Sequence, residues 1–169
     1  SSALKEGMVE PLLKALKDEN TDVRNEVTSA LFYLSHSNIS LELKEKMVDP
    51  LLEAIKGGNY PLLQISSLKY LIQSNISLER VVKMIEPLIK ALNHKDDHIR
   101  ESAAEALGET IYLNIPSELK ESMVDLLCKV WEDESDDVRE KAVEAFYKLV
   151  DQNISQQVKF FTGCPVGRG

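Results

Sequence analysis

Apolar residues recur along this chain with a helical period. Met8, Val9, Leu12, Leu13 and Leu16 stand at i, i+1, i+4, i+5 and i+8, with Lys5, Lys14 and Lys17 between them. That spacing marks an amphipathic helix with one broad apolar stripe. A polar stretch follows, Asp18-Glu19-Asn20-Thr21-Asp22, rich in side chains that cap a helix N-terminus. A second helical pattern then runs from about Val23 to Ser37 and predicts burial of Val23, Val27, Ala30, Leu31 and Leu34.

The pair of helices repeats. Met8-Val9-Glu10-Pro11-Leu12-Leu13 returns as Met47-Val48-Asp49-Pro50-Leu51-Leu52, as Met84-Ile85-Glu86-Pro87-Leu88-Ile89 and as Met123-Val124-Asp125-Leu126-Leu127-Cys128, at offsets of 39, 37 and 39 residues. A second marker, Asn38-Ile39-Ser40, returns as Asn75-Ile76-Ser77, Asn114-Ile115-Pro116 and Asn153-Ile154-Ser155, at offsets of 37, 39 and 39. Two markers in step define a tandem repeat, with units near 4–40, 41–77, 78–116 and 117–155. The Asn suits a left-handed helix C-cap, and Pro11, Pro50 and Pro87 inside the first helices predict a recurring kink.

One such hairpin cannot cover its own apolar face, so neighbours must stack. The expected fold is all-α: a right-handed α-solenoid of four hairpins, convex on the first helices and concave on the second. The domain is expected over 1–157, with a tail at 158–169. In repeat four Val143, Phe146 and Val150 would face a missing fifth repeat. Val158, Phe160 and Phe161 are expected to lie over that end as the stub of such a repeat, before Gly163, Pro165, Gly167 and Gly169 end regular structure.

The unit resembles the HEAT repeat in its length, its Pro and the opening of its second helix. Asp22-Val23-Arg24, His98-Ile99-Arg100 and Asp137-Val138-Arg139 match that opening, and Ala103-Ala104-Glu105-Ala106-Leu107-Gly108 resembles the small-residue stretch of the phycobilisome-lyase-like HEAT subclass. The resemblance covers residues 4–155. It implies a ladder in which the Arg of one repeat reaches the Asp of the next. Repeat two departs from it: Lys56-Gly57-Gly58-Asn59-Tyr60-Pro61-Leu62-Leu63 is two residues short and lacks both residues, so the ladder should break there.

Composition narrows the function. Hydrophobic residues at 43% and charged residues at 28% fit a folded chain, and the apolar runs are too short and too interrupted to span a bilayer. Of the net charge of −8, residues 81–157 supply the acidic excess, with seventeen Asp/Glu against nine Lys/Arg. Nucleic acid is therefore a poor partner. Two cysteines, Cys128 and Cys164, do not make a disulfide framework, and a reducing cytoplasm is the default compartment. By register with Leu13, Leu52 and Ile89, Cys128 should be a core residue, as should Trp131 with Leu16, Ile55 and Leu92. The start, Ser1-Ser2-Ala3-Leu4-Lys5, has no signal-peptide core and no initiating Met, and reads as a processed boundary or an excised or engineered repeat module.

Catalytic motifs find no match: there is no P-loop, no dinucleotide-binding Gly pattern and no Gly-x-Ser-x-Gly. HEAT proteins that hydroxylate deoxyhypusine carry His-Glu pairs, which this chain lacks. HEAT-like alkylpurine DNA glycosylases use a basic groove, whereas the concave positions here read Glu101, Glu105, Glu109, Glu140 and Glu144. His94 and His98 flank Asp96 and Asp97 across a predicted turn, a spacing that favours helix capping over zinc. The Asn-Ile-Ser triplets favour capping over glycosylation in the same way. No catalytic, cofactor or metal residue is expected.

What remains is a track on the second helices: Tyr33, Tyr70, Tyr112 and Tyr147, with Phe32 and His36, beside Glu101, Glu105, Glu109 and Glu144. Aromatic rings with carboxylates suit a basic or Arg-containing protein or peptide. The competing reading packs half the tyrosines between repeats and leaves the glutamates as a solvated face. The expected function is a non-catalytic scaffold or adaptor that binds a partner on its concave acidic face. The resemblance also implies an alternative, a lyase-like or chaperone-like subunit acting on a chromophore protein or other client.

Overall fold

The computed structural model describes residues 2–56, 61–110 and 113–153, with side chains up to Lys148 apart from Pro61. Among the described residues there are eight helices and no strand: α1 (Ser2–Ala15), α2 (Thr21–Ser35), α3 (Leu41–Lys56), α4 (Pro61–Gln73), α5 (Leu78–Ala91), α6 (Asp97–Thr110), α7 (Ser117–Val130) and α8 (Asp136–Asn153). Each odd-numbered helix packs on the even-numbered one that follows it, and each even-numbered helix packs on the next even one. The chain is an all-α solenoid. None of the described helices is long and apolar enough to cross a membrane. The second helix starts at Thr21, inside the stretch expected to be a turn, because the Asn20 side chain accepts the Asp22 N–H at 2.9 Å and caps it there.

Burial follows the repeat register. Met47, Met84 and Met123 are 0% exposed, and so are Leu31, Leu68 and Leu107 on the second helices. Each of these side chains is worth about 1.5–3 kcal/mol when taken fully from water. Met8 breaks the pattern at 44% exposure. The Met position lies beneath the preceding hairpin, where Thr110 Oγ1 donates to Met123 Sδ at 3.8 Å, and no described hairpin precedes α1.

Polar contacts knit the same seam. Glu6 Oε1 accepts the Ser40 N–H at 2.9 Å, and Glu45 Oε1 accepts the Ser77 N–H at 2.7 Å, satisfying donors that a helix start leaves open. Within the hairpins Lys5 Nζ donates to Ser37 Oγ at 3.3 Å and Lys44 Nζ to Ser74 Oγ at 2.8 Å. Repeat three changes both partners of both contacts. Val82 stands where Glu6 and Glu45 do, and the receiving Ser becomes Pro116, which has no N–H. Val81 replaces the Lys and Leu113 replaces the Ser; Val81 is buried and Leu113 packs against the core. Polar pairs become apolar ones without stranding a donor or acceptor.

The Arg–Asp ladder has one complete rung among the described residues. Arg100 is buried, and its Nε and a terminal nitrogen both donate to Asp133 at 2.8 Å. Its other terminal nitrogen reaches the carbonyls of His94 at 2.8 Å and Lys95 at 3.2 Å. Arg24 bonds the carbonyls of Asp18 and Glu19 in the same way, and Arg139 bonds that of Asp133. Each arginine therefore ties down the turn between the two helices of its own hairpin, and Arg100 adds the bridge. Between repeats two and three Pro61 holds the Arg position and His94 the Asp position, so no rung forms there.

Several expectations need correction. Of the Asn residues closing second helices, Asn75 takes the left-handed conformation, at φ 57°, and Asn38 and Asn114 do not. Cys128 is half-buried rather than fully enclosed in the core. Phe146 is buried with its ring edge-on to Trp131 at 4.7 Å. The side chain of Val150, and Val158, Phe160, Phe161 and Cys164, lie outside the described residues.

Two stability predictions follow from the core. The Arg100 guanidinium, by its hydrogen bonds, holds the Asp133 carboxyl below the usual carboxylate range, with the Ser135 N–H assisting. Replacing Arg100 by Met leaves that largely buried carboxylate with the Ser135 N–H and no guanidinium, and urea unfolding should show a loss of about 3 kcal/mol. A carboxyl with a depressed folded pKa stabilises fully above its unfolded value of about 3.9 and loses that contribution as pH falls below it. The wild-type chain should accordingly lose stability more steeply than Arg100→Met below about pH 4. Gln64 is fully buried, with no hydrogen-bond partner on Oε1 or Nε2. It stands in the register of Val27, Ala103 and Ala142. Gln64→Leu should raise stability by about 1–2 kcal/mol in the same assay, by removing that desolvation penalty.

Candidate functional site

The even helices form one layer whose outer residues fall into rows. Counting back from each closing Asn aligns Asn25, Leu62, Glu101 and Glu140; then Ser29, Ser66, Glu105 and Glu144; then Tyr33, Tyr70, Glu109 and Lys148. The layer thus changes character halfway, from aromatic and hydroxyl groups on α2 and α4 to charged groups on α6 and α8.

On the first half the rings gather. Phe32 lies 5.8 Å from Tyr70 between centroids, His36 lies 4.9 Å from Tyr70, and Tyr33 lies 5.9 Å from His36. His36 is fixed by a 2.9 Å contact from Nδ1 to the Phe32 carbonyl. Tyr33 remains 64% exposed, so the cluster opens to solvent, while Tyr70 is half-buried. Lys69 Nζ sits 4.9 Å over the Tyr70 ring and donates to Glu105 at 3.0 Å, joining the aromatic half to the acidic half.

On the second half the carboxylates are answered from within the layer. Besides Lys69–Glu105, Lys148 donates to Glu109 at 3.0 Å and Lys141 to Glu144 at 3.2 Å. The Glu144 hydrogen bond, with the charges of Glu144, Glu105 and Glu140, raises the Lys141 ammonium above its ordinary range. Glu101 lies 3.8 Å from His98 Nδ1. Glu140 is exposed and has no ion-pair partner among the described residues. Tyr147 is 63% exposed, against the edge of Phe146 at 6.3 Å between centroids. Tyr112 lies outside the described residues. The structure thus joins Tyr33 to Tyr70 through Phe32 and His36, and gives Glu105, Glu109 and Glu144 lysine partners that the sequence reasoning missed. The missed signal was register: Lys148 follows Glu109 by 39 residues, one repeat, and Lys69 precedes Glu105 by 36, one repeat less about a helical turn.

The turn between α5 and α6 uses its polar groups on the backbone. Asp96 and Asp97 carboxylates accept the His98 N–H at 3.0 and 2.9 Å, and His94 Nδ1 accepts the Asp96 N–H at 3.1 Å. On the first-helix side a groove of about 690 Å³ runs between α3 and α5, at the step where the Arg–Asp rung is missing. Leu52, Ile55, Ile65, Pro87, Ala91 and Ile99 line it, together with Asp49, Glu53, Glu86, Lys56, Lys83, Lys90 and His94. Lys56 and Lys90 pair with Glu53 and Glu86 on their own helices, and Asp49 pairs with Arg80.

The small residues of α6 have a packing role. A Cβ at Gly108 would lie 3.1 Å from the Ala145 Cβ and 3.3 Å from its Cα, so glycine sets how closely α6 and α8 approach.

Stacked helical hairpins joined through a shared seam define a helical-repeat protein. The family profile of HEAT repeats matches residues 48–147, and the chain belongs to that family. No curated protein matches the sequence. Among solved structures, a designed armadillo repeat protein in complex with the peptide (KR)4 is similar over 85% of this chain and 64% of its own, with a TM-score of 0.69 and 19% identity. Computationally designed armadillo repeat proteins for modular peptide recognition match over 84% of this chain and 64% of theirs, at TM-score 0.66 and 19% identity. An engineered protein matches over 83% and 62%, at 0.65 and 18%. This chain spans less than two thirds of each of them, and at these identities the likeness is one of fold.

Gly108→Val should push α6 from α8 and cost about 1–3 kcal/mol in urea unfolding. Glu105→Ala, which removes one partly exposed ion pair, should cost less than about 1 kcal/mol in the same measurement.

Proposed function

We propose that this chain is a non-catalytic scaffold that holds an extended basic protein segment along its second-helix layer, on the concave side of the solenoid. The observation that carries this reading is the open cluster of Phe32, Tyr33, His36 and Tyr70 leading directly into the carboxylates of α6 and α8. Rings offer their faces to a guanidinium or ammonium group, and the carboxylates Glu101, Glu105, Glu109, Glu140 and Glu144 favour the same charge. The exposed Tyr147 adds a further ring on α8. The closer packing of α2, α4, α6 and α8 on one another than of α1, α3 and α5 supports an inner arc on this side. That a similarly folded designed armadillo protein was solved with (KR)4 supports the class of ligand.

The probe is a fluorescein-labelled (KR)4 peptide, followed by anisotropy. The wild-type chain should bind it, more weakly as salt rises. Tyr33→Ala with Tyr70→Ala, and separately Glu101→Lys with Glu144→Lys, should each weaken binding by about tenfold, roughly 1.4 kcal/mol. Absence of wild-type binding, or equal affinity in both double variants with unchanged thermal melts, overturns the assignment.

A further inference from the structure

The second-helix layer already holds one cation of its own. Lys69 Nζ lies 4.9 Å over the Tyr70 ring and donates to Glu105 Oε2 at 3.0 Å, with its side chain 16% exposed. The ammonium reaches this point on the four-carbon stem of a residue of α4, while the carboxylate comes from α6. It takes a ring face and a carboxylate together, the two groups that a basic segment would engage.

The combination is particular to this junction. The register of Lys69 reads Phe32 on α2, Gly108 on α6 and Tyr147 on α8, and that of Glu105 reads Ser29, Ser66 and Glu144. Between α2 and α4, Phe32 meets Tyr70 at 5.8 Å between centroids, and neither Ser29 nor Ser66 carries a charge. Between α6 and α8, Gly108 sends no side chain across, and Glu144 is answered by Lys141 of its own helix at 3.2 Å. Among the described residues Lys69 is thus the one ammonium held by a ring and a carboxylate at once.

The pair of groups suits a guanidinium better than the ammonium it holds. A guanidinium is planar, stacks on a ring face, offers a carboxylate two parallel N–H bonds and gives up its hydration more readily. Lys69, once displaced, regains water and the rotamer freedom of its stem. Exchange of Lys69 for an incoming arginine is therefore favourable, whereas exchange for an incoming lysine replaces like with like. We propose that Tyr70 and Glu105 form a subsite for one arginine of the partner, which Lys69 fills in the free chain, setting the threshold that an incoming side chain must exceed. The subsite rests on the reading of the second-helix layer as the binding face, and it adds the side chain which that face selects.

Fluorescein-labelled (KR)4 and octalysine carry the same charge, and anisotropy at one salt concentration compares them. The wild-type chain should bind (KR)4 about fivefold more tightly than octalysine. Lys69→Met empties the subsite and should tighten (KR)4 about fivefold. Lys148→Met removes the same charge from Glu109 and should tighten it less than about twofold. Lys69→Arg keeps the net charge, fills the subsite with a guanidinium of the chain itself and should weaken (KR)4 about threefold. Adding Glu105→Gln should cancel most of the gain from Lys69→Met. Equal wild-type affinity for the two peptides, or (KR)4 affinity that Lys69→Met and Lys69→Arg leave at the wild-type value, overturns the subsite while the binding face stands. If neither the wild type nor Lys69→Met binds either peptide, the binding face falls and the subsite with it.

Discussion

A helical hairpin of this length leaves one apolar side open, and in this chain Met47, Met84 and Met123 are fully buried, Met123 against Thr110 of the hairpin before it. That requirement governs every other contact at the seam. In repeats one to three the Glu–Ser and Lys–Ser partners are kept or replaced together, because an orphaned donor or carboxylate would be stranded beside apolar packing. Repeat three shows the constraint directly. The Glu that would accept an N–H is Val82, and the residue that would donate it is Pro116; the Lys–Ser contact is likewise exchanged whole for Val81 and Leu113.

The same constraint grades the rod along its length. Between repeats three and four the hairpins are joined by a buried bidentate ion pair and by a glycine that brings α6 against Ala145. Between repeats two and three the corresponding Arg and Asp are Pro61 and His94, and the first-helix side opens into a groove. The stretch Ala103-Ala104-Glu105-Ala106-Leu107-Gly108 is explained by this packing: its three alanines and Gly108 are buried. Its small residues answer a steric demand, and no chemistry needs to be assigned to them.

Helix number and core were legible in the sequence because they depend on period. A Met every 37 or 39 residues and a closing Asn in step with it located both helices of each hairpin. What the period could not supply was what each side chain meets across the seam. Met8 has the pattern of a core residue and lies half open, because its burial depends on a neighbour rather than on its own helix. The glutamates of α6 looked like a bare acidic face, yet Lys69 and Lys148 reach them from adjacent second helices. Those pairs are separated by about one repeat in the chain and are adjacent in space. A single helical wheel cannot display them, and only the alignment of the second helices against one another does.

That pairing also bears on the proposed partner. A basic segment laid along the layer would find Glu105, Glu109 and Glu144 already holding ammonium groups. It gains charge contact there only by exchange, with Lys69, Lys141 or Lys148 released to solvent, and an exchange of like ion pairs yields little net free energy. The aromatic cluster carries no such competitor except Lys69 at the Tyr70 ring. Affinity on this reading therefore resides chiefly in the rings of α2 and α4, while the acids of α6 and α8 exclude anionic segments and fix the direction of the one that binds.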